Sequence, residues 1–214
     1  TTFTVVGGLI IAVLVDKVEY ESTAKAVIFL PQAISFVGAG VIWKFVYDYN
    51  PDVGLLNGIL TGLFPDLQPI GWLVNSNIAT YAIIGVGVWM WTGFAMIIFS
   101  AAIKSIPDEI IDAARVDGAN AWQMFWQVTV PMIASTIAVV STTLIITVLK
   151  IFDLIYVMTN GNYKTNVIAN QMYKELYINQ NNGRASAIAV ILLLVIIPVM
   201  FVNIQRFQEQ EAQR

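Results

Sequence analysis

The 214 residues are 57% hydrophobic and only 12% charged, with a mean hydropathy of +0.72 and a net charge of −3. A soluble domain carries roughly 25% charged residues, so this chain has too few charges to cover its apolar surface and reads as an integral membrane protein. It contains no Cys and no His, which removes thiol and imidazole nucleophiles, disulfides and the usual transition-metal sites, and its small net charge gives no nucleic-acid footprint.

Five apolar segments follow one another, at about 2–15, 24–47, 78–103, 132–151 and 185–204. All but the first reach the roughly 20 residues a helix needs to cross a bilayer. Backbone groups in lipid must be paired internally, so helices are the default. The pattern predicts an all-α, polytopic transmembrane bundle forming a single domain over 1–214. The first run is short for a crossing. Thr1 is not a start methionine, and no basic stretch precedes the run as in a signal peptide. One or more N-terminal spans are therefore expected to be missing.

Loop 16–23 carries Lys17, with Lys25 at its border. Loop 48–77 has Asp48, Asp52 and Asp66 but no Lys or Arg. Asn50-Pro51-Asp52 and Phe64-Pro65-Asp66 are turn signals, and residues 55–63 between them suit a short interfacial helix. Trp43, Tyr47, Tyr49 and Trp72 lie near span ends, as an aromatic belt would. The central loop carries Lys104 and Arg115, and the tail carries Arg206 and Arg214. The positive-inside rule puts loop 16–23, loop 104–131 and the tail in the cytoplasm. Lys164, Lys174 and Arg184, in a loop that alternation places outside, oppose this assignment, and so does Lys44. That loop, 152–184, is long, and long loops weigh less in the rule. It contains a turn at Asn160-Gly161-Asn162, then a helical run over 165–177, then a polar break at 179–183.

Within loop 104–131, the stretch from Pro107 to Pro131 alternates polar and apolar residues between two very apolar segments. Ser105 and Asp108 have the spacing of an N-cap, and Pro107 suits a first turn. Asp108 and Glu109 sit where the helix dipole favours carboxylates. Ile110, Ala113, Ala114 and Asp117 recur at helical spacing, and Asp117-Gly118 breaks the run. A second helical run, 121–128, is predicted to end before Pro131. The loop thus reads as a compact helix-turn-helix.

Asp112-Ala113-Ala114-Arg115-Val116-Asp117-Gly118, followed after nine residues by Val128-Thr129-Val130-Pro131, resembles the EAA motif. That motif marks the inner-membrane permease subunits of binding-protein-dependent ABC importers. The chain departs from it at the first position, with Asp112 in place of Glu. Phe152-Asp153-Leu154-Ile155-Tyr156-Val157-Met158-Thr159-Asn160-Gly161 is similar to the end-of-span motif of sugar permeases. Val167-Ile168-Ala169-Asn170-Gln171-Met172-Tyr173-Lys174-Glu175 resembles the alpha-glucoside group of the maltose-type permeases, and Leu30-Pro31 and Gly183-Arg184-Ala185-Ser186-Ala187 also fit.

The resemblance implies a MetI-like permease fold with loop 104–131 as its coupling helix. Asp112, Ala113, Ala114, Arg115, Asp117 and Gly118 would seat in a cleft of a separate ATPase subunit. It implies a homologous second permease, two nucleotide-binding ATPase subunits, an extracytoplasmic sugar-binding protein and a bacterial inner-membrane location. The residues agree with this. Ala113, Ala114 and Gly118 make a low surface, Ile110, Val116 and Trp122 suit a groove, and the charges suit its rim. A helix lying on lipid would be richer in Lys and Arg than this stretch, which has only Arg115.

No phosphate-binding G-x-x-x-x-G-K-[ST] loop occurs, and no acid/base carboxylate pair is visible. The chain is therefore expected not to be an enzyme and to bind no cofactor or metal itself, with ATP and Mg used by partner subunits. Polar groups within spans tend to face a cavity or a helix partner. Depth-matching to the sugar site of maltose-type permeases implies Gln32, Phe36, Gly87, Trp91, Phe94, Thr147 and Ile151 as a substrate path. Lys150 and Asp153 stand beside it, either lining the path or pairing at the interface. The expected function is import of alpha-glucosides, related disaccharides or glucosylated osmolytes. Two rivals stay open: an ion-coupled secondary transporter and a membrane assembly subunit that transports nothing.

Overall fold

The computed structural model describes the backbone of residues 1–212 and the side chains of residues 1–201, 204 and 205. Among the described residues the regular structure is entirely helical, as the composition requires. The helices are α1 (Thr2–Val15), α2 (Glu21–Phe29), α3 (Phe36–Val46), α4 (Leu55–Leu63), α5 (Ala79–Lys104), α6 (Asp108–Val116), α7 (Ala121–Gln123), α8 (Val130–Met132), α9 (Ala134–Leu149), α10 (Asp153–Met158), α11 (Ile168–Tyr173) and α12 (Asn182–Ala212). A 3₁₀ turn follows α2 at Leu30–Ala33, and π-helical stretches follow α7 at Met124–Thr129 and α11 at Lys174–Ile178.

Among the described residues, two helices are long and apolar enough to cross a membrane unaided, α5 and Asn182–Phe201 of α12. The segment expected as one span at 24–47 is instead two helices meeting at 100°. Pro31 explains the break, because it has no N–H for the helical ladder and its ring clashes one turn back. Ser35 then starts a new helix, its extended backbone (φ −64°, ψ 152°) placing Oγ to accept from Gly38 N at 3.0 Å. The 132–151 segment is also entered through a bend, of 68° between Ala121–Met132 and Ala134–Leu149. α1 matches the first apolar segment and, at 14 residues, is about 21 Å long.

Three further expectations are corrected. Ser105 does not cap α6. Its hydroxyl turns back to the Ala102 carbonyl at 2.7 Å, closing α5, and Pro107 takes the N-cap position. The second helical run of loop 104–131 does not end before Pro131 but continues to Met132. Its π stretch has a wider register than an α-helix, and α8 begins beside Pro131, a first-turn position where a missing N–H costs little. The helix predicted over 165–177 starts at Ile168 and finishes in π geometry.

Contacts divide the chain into two compact units. Unit 1 comprises Thr1–Gln32, Trp91–Ile146 and Ile197–Arg214. Its core joins Leu9, Ala12 and Val15 of α1 to Met96 and Phe99 of α5 and to Ile133, Val140 and Leu144. Small residues allow the close approaches. A Cβ on Gly8 would lie 2.6 Å from that of Ala95, and one on Gly93 would collide with the carbonyl oxygen of Ile28. Unit 2 comprises Ala33–Met90 and Thr147–Ile196. Its core gathers Tyr47, Ala82, Ile83 and Val86 with Leu154, Ile155 and Met158. The Tyr47 hydroxyl donates to the Ala82 carbonyl at 3.0 Å, so the buried phenol is satisfied. Asn57 of α4 is fully buried and pins its loop. It donates to the carbonyls of Asp48 (2.8 Å) and Ile70 (2.9 Å) and accepts from Ile70 N (2.9 Å).

Candidate coupling loop and substrate-facing residues

α6 is built as a short, sharply bounded helix. Asp108 and Glu109 occupy its first turn and Arg115 its last, each complementing the helix dipole. It closes with two bonds: Gly118 N donates to Arg115 O and Ala119 N to Ala114 O, both at 3.0 Å. This paired closure needs a left-handed residue, supplied by Gly118 at φ +81°. The chain restarts at once, because Asn120 and Gln123 form a reciprocal capping box, each accepting the other's backbone N–H at 2.9 Å.

The loop is anchored on one side and open on the other. Ile106 is buried in the unit 1 core, and Ile111 and Phe125 pack against it. Ile110, Ala113 and Asp117 are exposed, and Val116 is 87% exposed and Trp122 71%. Trp122 and Trp126 form an edge-to-face pair at 5.6 Å, and Phe125 meets Trp126 at 5.0 Å. Arg115 pairs with Asp112 at 3.0 Å, both well exposed. That pair adds little stability and is free to exchange for a partner's charges.

An ion network supports the same end of unit 1. Lys25 of α2 meets Asp16 at 2.7 Å and Glu21 at 2.5 Å, and also donates to Ser100 of α5. Ser100 in turn donates to Asp16 at 2.6 Å, and Lys104 reaches Glu21 at 2.5 Å. The end of α1, α2 and the end of α5 are thus tied by charge. Sequence reasoning missed this, although Glu21 and Lys25 have the favourable i,i+4 order. Beside it lies a cavity of about 440 Å³, lined by Asp16, Lys17, Ile111, Arg115 and Phe125 among others.

The residues expected along a substrate path are divided between the units. In unit 1, Gln32 sits half-buried in the 3₁₀ turn, and Trp91 and Phe94 meet edge-to-face at 5.5 Å. In unit 2, Phe36 opens α3, and Gly87 in α5 has open space where a Cβ would be. Thr147 lies in the last turn of α9. Lys150 and Ile151 fall in the break after it, and Asp153 opens α10. Lys150 and Asp153 are both exposed and form no ion pair with each other. Ile151 packs on the unit 2 core.

Glu175, within the helical run expected over 165–177, is 3% exposed. Its Oε1 accepts from Gln171 Nε2 at 2.9 Å and lies 3.8 Å from Arg184. Nearby, Phe152, Tyr156, Tyr173 and Tyr177 form a chain of rings 4.8 to 5.3 Å apart. Hydrogen bonding and charge repulsion from Tyr156 raise the Tyr173 phenol above its ordinary range. His, Cys, Asp and Glu form no cluster able to hold a metal among the described residues.

Residues 4–212 match the family described as binding-protein-dependent transport system inner membrane component. The chain belongs to this family. It is therefore one component of a transport system that also uses a binding protein. It is 59% identical over 211 residues to the osmoprotective compounds uptake permease protein GgtC of Synechocystis sp., covering 97% of this chain and 75% of that one. It is 45% identical over 203 residues to the alpha-glucoside transport system permease protein AglF of Rhizobium meliloti, covering 92% of this chain and 60% of that one. Among solved structures, a bacterial ABC transporter that imports the acidic polysaccharide alginate matches with a TM-score of 0.83 at 25% identity, covering 94% of this chain and 72% of that one. The fold is thus that of an ABC importer permease, as the EAA-like loop implied.

Proposed function

We propose that this chain is the multi-pass plasma-membrane permease subunit of a bacterial importer for alpha-glucosides, related disaccharides or glucosylated osmolytes. The supporting observation is the loop around α6. It is rigidly capped at both turns and anchored by Ile106, Ile111 and Phe125, yet its outward apolar residues Ile110, Val116 and Trp122 are uncovered. Uncovered apolar groups beside small residues suit a helix seated in another protein's groove. That protein is one of two ATPase subunits, which use ATP and Mg. This chain binds neither.

A homologous second permease and an extracytoplasmic sugar-binding protein complete the assembly. Closure of the ATPase pair moves the α6 loops, and the packing of Ile106, Ile111 and Phe125 carries the motion to α1 and α5. Gln32, Phe36, Gly87, Trp91, Phe94, Thr147, Lys150, Ile151 and Asp153 border the sugar's path, with aromatic faces against the apolar faces of the pyranose. The similarity to alpha-glucoside and osmoprotectant permeases supports this substrate class. The rival readings, an ion-coupled transporter and a non-transporting assembly subunit, gain nothing from these resemblances.

Calorimetry of the associated binding protein against trehalose, sucrose, maltose and glucosylglycerol tests the substrate class. Micromolar or tighter binding of one of them is expected, and binding of none would refute it. In liposomes, ATPase activity of the reconstituted importer should rise with that sugar and the binding protein present. An unresponsive ATPase would favour the assembly-subunit reading.

A further inference from the structure

Unit 2 contains a cavity of about 690 Å³ where the C-terminal end of α3, the loop before α5 and the end of α10 converge. This lies inside the range of about 300–1,000 Å³ typical of small-molecule sites. We infer that it is an outer glycoside-binding vestibule, a site separate from the mid-span path. The positive-inside rule, applied to the sequence, predicts that this end of the chain lies outside the membrane.

The lining combines flat rings with unpaired polar groups. Trp72, Tyr49 and Tyr156 contribute aromatic surface, and Tyr47 braces Trp72 at 5.9 Å between ring centres. Lys44, in the last turn of α3, and Asp48, just past its end, also line it. They form no ion pair with each other, nor does Lys44 pair with any other carboxylate among the described residues. Only Asp48 Oδ1 is engaged, accepting from Asn50 N at 2.9 Å. An ammonium and a carboxylate left apart on one wall suit a ligand with neutral donors and acceptors on adjacent carbons. Pyranose hydroxyls are such groups: they donate to the carboxylate, accept from the ammonium, and leave an apolar ring face for the aromatics. A free ion, or a ligand of a single charge sign, would satisfy one wall residue and repel the other.

The far wall is pre-set. Asn160, at φ +52°, is followed by Gly161 at +73°, Tyr163 at +54° and Lys164 at +63°. Left-handed backbone of this density persists only where the surroundings hold it. Here the Thr159 and Thr165 hydroxyls bond at 2.5 Å, Thr165 donates to Asn162 O at 2.6 Å, and Asn170 donates to Asn160 O at 3.3 Å. The Asn160 side chain is left exposed on that wall. A role for Lys44 at this site also explains a basic residue on the side that the charge rule disfavours.

The inference rests on the alpha-glucoside reading only for its choice of probes. The test uses the assembled importer in lipid nanodiscs without its binding protein. Sucrose, trehalose and maltose are titrated by saturation-transfer NMR. At least one sugar is expected to saturate, and Lys44→Met and Asp48→Asn are each expected to weaken it at least tenfold. Asp48→Glu should retain binding to within about threefold. Equal yields of assembled complex on gel filtration separate a lost site from a misfolded chain. Saturation by none of the three sugars, or unchanged affinity in both variants, overturns the inference. So does loss of binding-protein capture with sugar affinity intact, which would assign this surface to protein docking. A binding protein that still takes one of these sugars in calorimetry would show that only the vestibule, not the substrate class, had failed.

Discussion

Gly118 offers the sharpest perturbation of the coupling loop. It stands at φ +81°, and a Cβ built there would meet nothing within 4 Å. Any cost of a side chain is therefore one of backbone conformation, not of space inside this chain. For an ordinary L-residue that cost is about 1–2 kcal/mol, and it is smaller for Asn. A free loop sheds this strain by escaping to negative φ, giving up the two 3.0 Å bonds that close α6, and docking must then restore the turn. If docking requires the native turn, Gly118→Ala should weaken ATPase-subunit affinity by about 5- to 30-fold. Gly118→Asn should lose only two- to threefold by the same conversion. The assay is a titrated pull-down of the ATPase subunit on solubilised importer permease. Since the chain leaves open space at this point, any loss in Gly118→Trp beyond that of Gly118→Ala measures contact with the partner. Wild-type affinity in Gly118→Ala, or equal losses in the Asn and Ala variants, would refute the reasoning.

Other substitutions test the supporting structure. Gly93→Ala would push a Cβ into the Ile28 carbonyl; rigid overpacking of this kind costs about 1–3 kcal/mol, read as a lower melting temperature in detergent. Lys25→Met strips a partner from the mostly buried Asp16 and from Glu21. Breaking these pairs should lower the melting temperature, and adding Asp16→Asn should recover part of the loss in the same melt. Asp112→Asn removes only an exposed pair, so stability should change by less than about 0.5 kcal/mol while ATPase docking weakens. Asn57→Leu leaves the Asp48 and Ile70 backbone groups unpaired. It should destabilise unit 2 by about 3 kcal/mol, with faster hydrogen exchange across 48–70.

The sequence made legible whatever depends on long apolar runs and local turn chemistry. α1, α4 and the Asp117-Gly118 break stand at the positions read from it. The coupling loop was visible because its motif is contiguous and its apolar residues are spaced for one helix. The break of the 24–47 segment was signalled by Pro31, but hydropathy averages over a kink: both halves are apolar, so the run looks continuous. Ser105 shows a local ambiguity, since the same hydroxyl can cap the next helix or close the last one, and the Ala102 carbonyl won. The proposed substrate path was harder to read. The residues assigned to it run from the 3₁₀ turn after α2 to α10 with no shared spacing, and they fall in two units. The Asp16–Lys25–Ser100 network spans 84 positions in sequence and leaves no periodic trace. The burial of Glu175 was not legible, because burial of one side chain is decided by tertiary packing around Gln171 and Arg184.

The central claim is that α6 seats against an ATPase subunit and moves with it. The 214 residues contain no cysteine, so Val116→Cys places the sole thiol of this stretch on the most exposed large apolar residue of α6. In the reconstituted importer, a short homobifunctional thiol crosslinker should join it to a single-cysteine ATPase subunit, with a yield that changes on adding ATP. Labelling of this thiol by a membrane-impermeant maleimide from outside intact cells, or no crosslink in any nucleotide state, would contradict the account.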